Sequence, residues 1–178
     1  MGVPADHIVL VGSMGVGKTT VGSLVAQRLD RPLRDSDTDF RTSHRNAREL
    51  AVRQGVAALH RLEADLLLDA LASPAPLVIA AAASVVDDPT ALDALRAPFV
   101  VWLWAPPELL VPRLGSGDHR RDLGPDPAAA LAELAVRRDP GYRAVADARL
   151  DVSGRRPEEL ARAVLDLLPD RFGAREQG

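Results

Sequence analysis

Cysteine is absent from this chain of 178 residues, which excludes disulfides, zinc–thiolate sites and a thiol nucleophile. Aromatic residues make up only 3% of the chain and the net charge is −3, so neither a base-stacking platform nor a basic nucleic-acid footprint is expected. No apolar run reaches the roughly 18 residues of a membrane span, and the first residues lack the pattern of a secretory signal. The composition predicts a cytoplasmic protein without a nucleic-acid or membrane partner.

Lysine is almost absent as well. Of the 22 basic residues only Lys18 is a lysine, and it lies in the motif Gly12-Ser13-Met14-Gly15-Val16-Gly17-Lys18-Thr19. This is the GxxxxGK[ST] pattern of a loop that cradles phosphates with its backbone N–H groups and places the hydroxyl on Mg²⁺. A β-branched apolar run precedes the motif and an amphipathic stretch follows it. This strand–loop–helix context favours a phosphate-binding loop over a chance match.

Apolar runs and helical patterns alternate along the chain, which predicts one α/β domain with a parallel sheet covered by helices on both faces. Strands are predicted at 7–12, 32–35, 76–81, 98–104 and 148–152. Helices are predicted at 18–30, 38–44, 46–54, 56–72, 89–96, 106–114, 127–138, 140–146 and 157–168. The polar, glycine-rich segment 115–127 is predicted to be a mobile lid, and the tail 169–178 to be frayed.

Two aspartates, Asp35 and Asp37, follow the second predicted strand. Ligands of an open parallel sheet bind beyond the carboxyl ends of its strands, so both carboxylates are expected near the phosphate loop. On an extended backbone the two side chains would point in different directions, one toward a metal and one toward an acceptor. A pair of solvated turn carboxylates is the alternative.

The order of these motifs resembles the shikimate kinase family. The matching segments are the phosphate loop, 35–37, 55–63 with its Gly55-x-x-x-Leu59-His60-x-Leu62-Glu63 pattern, Arg113, Arg120, Arg138-Asp139-Pro140-Gly141-Tyr142 and 152–157. The resemblance covers about 8–168. It implies a three-layer P-loop kinase fold with about five parallel strands and substrate-binding helices near 38–72. It also implies a monomeric kinase that uses ATP and Mg²⁺ on a small hydroxylated acceptor.

The resemblance assigns catalytic and metal-binding roles. Lys18 would hold the β- and γ-phosphates, and Arg120 would close over the transferred phosphoryl group. Asp37 would orient the acceptor hydroxyl and take its proton. Thr19 and Asp35 would place Mg²⁺, the aspartate through water. These roles suit phosphoryl transfer, which depends on positioning and charge neutralisation.

The resemblance also implies binding contacts. Further ATP contacts would come from Gly12, Met14, Gly15, Val16, Gly17, Thr20, Arg113, Arg156 and Pro157, the last three around the adenine. Beside Asp37, the acceptor would contact His60, Ala83 and Arg138.

The chain departs from the family pattern on the acceptor side. His60 stands where the family has an arginine that grips the substrate carboxylate, and an imidazole is a poor replacement for a bidentate guanidinium. Ala82-Ala83-Ser84 replaces three glycines, so methyl groups occupy volume beside the acceptor. The acceptor is therefore expected to be shikimate or another cyclitol, polyol or hydroxy acid.

A nucleotide-binding protein without transfer activity is the alternative, motivated by the lost arginine and glycines. The retention of Asp37 and Arg120 argues against it. A nucleoside monophosphate kinase would need a base-binding pocket, which the few aromatic side chains disfavour. A GTPase is excluded, because the N/T-K-x-D guanine motif would need a second lysine.

Overall fold

The computed structural model describes residues 6–44, 47–114 and 123–172, with the backbone alone at 41, 43, 44, 47–50 and 171. Its strands form one sheet: β1 (Ile8–Val11), β2 (Leu33–Asp35), β3 (Val78–Ala80), β4 (Phe99–Trp104) and β5 (Ala148–Asp151). The strand order is β2-β3-β1-β4-β5, and each of these pairings is parallel. The expected five-stranded parallel sheet is confirmed.

Helices fill the connections between the strands. They are α1 (Lys18–Leu29), α2 (Ser36–His44), α3 (Ala47–Gln54), α4 (Val56–Leu71), α5 (Pro89–Ala94), α6 (Pro107–Leu110), α7 (Pro127–Val145) and α8 (Pro157–Leu167). Short 3-10 turns cover Val85–Asp87, Val111–Arg113 and Asp170–Phe172. Across the described ranges, we find no helix with the length and hydropathy that a bilayer crossing requires.

The core has two halves, one on each face of the sheet. Ile8 and Leu10 of β1 belong to the half that α1 and α8 cover. Val9 and Val11 belong to the half that α4, α5 and α7 cover. Successive side chains of a strand point to opposite faces, so a strand buried on both faces has no polar positions. This explains the continuous apolar run of β1 and produces the three layers.

The predicted break between two helices at 138–140 is wrong, because α7 continues through Pro140. A proline inside a helix removes one backbone hydrogen bond and costs about 3 kcal/mol. Here Leu131, Arg138 and Tyr142 are buried along the same helix, on both sides of the proline. Their burial offsets the local cost and keeps the helix in one piece.

The second helix begins earlier than predicted. Asp35 Oδ1 accepts a hydrogen bond from the Thr38 backbone N at 2.9 Å, so the last residue of β2 caps the following helix. Asp37 therefore lies in the first turn of α2 and not on an extended backbone. The predicted helix 106–114 is also altered: α6 ends at Leu110 and a 3-10 turn that contains Pro112 follows.

The predicted lid and tail are described only in part. Residues 115–122, including Arg120, and residues 173–178 lie outside the described ranges. At the end of the lid segment, Leu123 packs against the core and Asp126 caps α7. The first part of the predicted frayed tail is instead packed, because the buried ring of Phe172 lies 5.7 Å from the Phe99 ring centroid.

Candidate active site

The loop between β1 and α1 relies on backbone conformations that favour glycine. Gly15 and Gly17 have φ values of +77° and +102°, and Gly17 directly precedes α1. The free N–H groups at a helix N-terminus favour a bound anion. Gly12 has a different task, because a Cβ at this position would collide with the Leu103 carbonyl oxygen. It packs the loop against β4 and is not on the cleft wall described below.

The Lys18 side chain folds back over this loop. Its Nζ donates to the carbonyl oxygens of Gly12 at 2.8 Å and Ser13 at 3.1 Å. Burial lowers the pKa of Lys18 to about 8, although the nearby carboxylates of Asp37 and Asp35 oppose the shift. An anion in the loop would favour the protonated ammonium and raise this pKa again.

Thr19 and Asp35 form an oxygen pair at the edge of the loop. Thr19 Oγ1 donates to Asp35 Oδ2 at 2.6 Å, which joins α1 to the end of β2. Mg²⁺ takes hard oxygen donors, keeps several waters and typically binds one or two carboxylates beside substrate phosphates. A hydroxyl and a carboxylate in contact beside a phosphate loop fit that requirement.

A cleft of about 630 Å³ brings the phosphate loop and the candidate base together. The residues predicted from the sequence that line it are Met14, Gly15, Val16, Gly17, Lys18, Thr19, Thr20, Asp35, Asp37, Ala83, Arg113 and Pro157. Asp37 is exposed, and its charge acts on Lys18. The cleft thus lies where ligands of parallel sheets bind, beyond the carboxyl ends of the central strands.

One arginine on the predicted adenine side differs from the expectation. Arg155 and Pro157 line the cleft, whereas Arg156 does not. The Arg156 guanidinium is bonded to Glu159 in the first turn of α8, and its side chain is 77% exposed. Both arginines follow the turn at Gly154, where φ is +68°, and sequence reasoning did not distinguish one from the other.

The alanine segment after β3 forms a wall of the cleft and is fixed from two sides. The buried Tyr142 hydroxyl donates to the Ala83 carbonyl oxygen at 2.6 Å. The Ser84 hydroxyl donates to the Glu63 carboxylate, which also lines the cleft. These bonds attach the wall to α7 and α4, so the shape of the cleft near Ala82 and Ala83 is well defined.

Two predicted acceptor contacts meet beside this wall, around a carboxylate that sequence reasoning missed. Arg138 is 3% exposed, and its Nε and Nη2 both donate to Asp87 Oδ2, at 2.9 and 2.6 Å. His60 Nδ1 lies 3.8 Å from the same oxygen. The structure therefore brings His60 and Arg138 together, but around Asp87, and neither is on the cleft lining.

The missed residues carried weak sequence signals. Asp87 and Asp88 precede Pro89, a pattern typical of a helix start, and Asp88 does cap α5 by accepting from the Thr90 and Ala91 backbone N–H groups. Nothing local distinguishes Asp87 from its neighbour. Ser36, between the two aspartates, accepts a hydrogen bond from the Ala82 backbone N at 3.0 Å and so joins the start of α2 to the cleft wall.

The loop and its place in the sheet define the class of protein. A glycine-rich phosphate cradle between the first strand and helix of a parallel sheet, with its lysine and threonine in place, is the mark of P-loop nucleotide-binding proteins. Several enzyme families belong to this class, and comparison with known proteins identifies the family of this chain.

The family model for shikimate kinase matches residues 14–169. The shikimate kinase of Symbiobacterium thermophilum is 35% identical over 169 residues, which cover 93% of this chain and 97% of that relative. The shikimate kinase of Streptomyces coelicolor is 39% identical over 164 residues, 91% of this chain and 95% of the relative. The structure of the Acinetobacter baumannii shikimate kinase in complex with shikimate matches with a TM-score of 0.86 and 26% identity, over 98% and 97% of the two chains.

This chain belongs to the shikimate kinase family. It is an ATP-dependent small-molecule kinase, which confirms the predicted class of enzyme and the P-loop kinase fold.

Proposed function

We propose that this kinase transfers the γ-phosphoryl group of ATP to a hydroxyl of a small cyclitol, polyol or hydroxy acid, of which shikimate is the reference compound. The observation that carries the proposal is the shared cleft: Asp37, Lys18 and the Thr19–Asp35 pair all line it. The relatives named above support the same reaction type, because they are shikimate kinases.

The phosphate end of the cleft supplies positioning and charge. Lys18 and the N–H groups of the loop would hold the β- and γ-phosphates. Thr19 and Asp35 would hold Mg²⁺, which neutralises phosphate charge when bound. Asp37 would orient the acceptor hydroxyl and accept its proton, so that the oxygen can attack the phosphorus. Arg120 remains a proposed phosphoryl contact in the lid.

The nucleotide end would enclose the adenine between charged and cyclic side chains. Arg113, Arg155 and Pro157 line this part of the cleft. A guanidinium is planar and weakly hydrated, so it can stack on a base without an aromatic partner. We therefore propose Arg155 for the adenine contact that the family resemblance implies for Arg156.

Besides Asp37, the acceptor end is lined by small and apolar residues and by a second carboxylate. Ala82 and Ala83 lie on the wall after β3, and Leu59 and Glu63 come from α4. The methyl groups fill space that glycines would leave open, which favours a ring or chain that packs flat on this wall. Glu63, held by Ser84, would accept hydrogen bonds from acceptor hydroxyl groups.

A coupled ADP-release assay tests this proposal. We expect one or more of shikimate, quinate, gluconate and neutral cyclitols to raise ADP release well above the hydrolysis of ATP by water. A Lys18→Ala variant should abolish the stimulation, whereas Asp65→Asn, an exposed carboxylate on α4, should not. If no acceptor raises ADP release, the chain is a nucleotide-binding protein without transfer activity.

A further inference from the structure

Arg138 is a buried cation whose charge the protein itself balances. Its side chain is 3% exposed, and two of its N–H groups donate to the carboxylate of Asp87. A buried charge is tolerated only when it is paired and hydrogen-bonded. The two bonds, at 2.9 and 2.6 Å, join charged groups, and such bonds are roughly twice as strong as those between neutral groups.

The pair lies beside the acceptor end of the cleft. The Asp87 backbone N donates to the Ser84 carbonyl oxygen at 2.8 Å, directly after the alanine wall. His60, which lies 3.8 Å from Asp87, follows the cleft residue Leu59. The charge of Arg138 also acts on Lys18, as do those of Asp37 and Glu63.

Asp87 therefore competes with any acceptor carboxylate for Arg138. A carboxylate that displaced Asp87 would exchange one ion pair for another and would leave a second negative charge close by. Asp87 is attached to the same chain, so its effective concentration at Arg138 exceeds that of a dissolved ligand. The exposed Arg137, at 3.6 Å from Asp87, only adds to the attraction that holds the carboxylate in place.

We infer that Asp87 determines acceptor specificity: it supplies the carboxylate that Arg138 requires, so the acceptor presents a neutral, hydroxyl-bearing group at this end of the cleft. The inference rests on the proposed function and narrows it to uncharged polyols or cyclitols. Asp87 acts through Arg138 and is a positioning residue, because it does not line the cleft itself.

A matched pair of ligands isolates the effect. Shikimate and its methyl ester carry the same ring hydroxyls and differ only in the charge of the carboxyl group. Their binding is measured by titration calorimetry in the presence of a non-hydrolysable ATP analogue and Mg²⁺, for the wild type, Asp87→Asn and Asp93→Asn. Asp93 is 86% exposed on α5 and serves as the matched control.

The wild type and the Asp93→Asn control should bind the ester at least as tightly as shikimate. Asp87→Asn should bind shikimate at least about tenfold more tightly than the wild type does, because Arg138 then lacks its internal carboxylate partner. Shikimate should also raise the melting temperature of this variant more than the ester does. In the double variant Asp87→Asn, Arg138→Gln, where no buried charge is left unpaired, the preference for shikimate should disappear.

A wild type that binds shikimate about tenfold more tightly than the ester would overturn the inference. An Asp87→Asn variant whose ratio of dissociation constants for shikimate and the ester equals that of the wild type would overturn it as well. The double variant decides the case if Asp87→Asn alone is unstable, since a retained preference for shikimate would show that Arg138 is not its anchor. Because binding is measured without turnover, the result stands apart from the ADP-release assay. Failure of that assay would reject phosphoryl transfer. The relative affinities for shikimate and its ester, measured by calorimetry, would still decide the role of Asp87.

Discussion

The hydroxyl of Thr19 donates a hydrogen bond of 2.6 Å to the carboxylate of Asp35. The two residues lie on different elements, the first turn of α1 and the last position of β2, and are sixteen positions apart along the chain. Asp35 is buried and also accepts from the Thr38 backbone N. Both oxygen donors are thus held in position at the mouth of the phosphate loop, which reduces the ordering cost of binding a cation there.

Replacement of Thr19 tests the proposed magnesium role. Thr19→Val keeps the shape of the side chain and removes the hydroxyl, whereas Thr19→Ser keeps the hydroxyl. We expect the valine variant to need about tenfold or more Mg²⁺ for half-maximal activity, because even residues that only support the ligands of a metal typically contribute this much to its affinity. The serine variant should stay within about threefold of the wild type. Equal Mg²⁺ requirements for the two variants would remove Thr19 from the metal site.

The lowered pKa of Lys18 predicts a pH dependence of nucleotide binding. Burial lowers this pKa to about 8, so in the free enzyme the ammonium loses its proton as the pH rises through that value. Bound phosphates favour the protonated form, so ATP affinity should fall as the pH rises from about 7 to about 10. Titrations of ATP across this range give the profile. Lys18→Arg cannot titrate there and should bind weakly with a flat profile; a flat profile for the wild type would contradict the account.

Gly12 should matter for folding more than for chemistry. A Cβ at this position would collide with the Leu103 carbonyl oxygen, and its φ of +139° is rarely adopted by other residues. Gly12→Ala should lower the free energy of unfolding by about 3 kcal/mol or more. Gly154→Ala is the matched control, because its φ is +68° and its Cβ would meet open space, so it should cost only about 1 kcal/mol. Urea unfolding measures both, and equal losses would contradict the packing role.

His7 should make the stability depend on pH. It is fully buried, burial lowers its pKa, and its Nδ1 accepts a hydrogen bond from the Leu77 backbone N at 3.1 Å. The folded state thus favours the neutral imidazole. Its contribution to stability is complete above the unfolded pKa of about 6.5 and is lost as the pH falls below that value. His7→Asn keeps an acceptor that does not titrate.

Melting temperatures between about pH 7 and pH 5 should therefore fall less steeply for His7→Asn than for the wild type. Identical slopes would show that other groups control the acid sensitivity.

Local patterns were enough to predict most of the fold. The phosphate loop, the five strands and the parallel sheet follow from a motif and from apolar periodicity, both of which are read within a few residues. The errors arose where side-chain burial or a side-chain cap decides where a helix begins or ends. The helix α7 passes Pro140 because Arg138 and Tyr142 are buried on either side of it. The start of α2 depends on a cap from Asp35 that no periodicity reveals.

The candidate site divides in the same way. The loop residues lie together because they are neighbours in sequence, and the two aspartates join them because parallel strands end at one edge. The pairing of Arg138 with Asp87 spans 51 residues and joins α7 to the turn after β3. Asp87 and Asp88 are adjacent, and nothing in the sequence indicates that one of them pairs with Arg138. The sequence reasoning therefore gave Arg138 to the acceptor, whereas the structure pairs it with Asp87.

The most direct test of the account compares turnover and ATP affinity in Asp37→Asn, with the acceptor that gives the wild type its highest rate. The variant keeps the size of the side chain and loses the base. The account predicts that kcat falls by about 10² or more while the dissociation constant of ATP changes by less than about threefold, as expected for a group that acts on the acceptor proton alone. Asp65→Asn should change neither quantity. An Asp37→Asn enzyme that turns over at the wild-type rate would contradict the central claim.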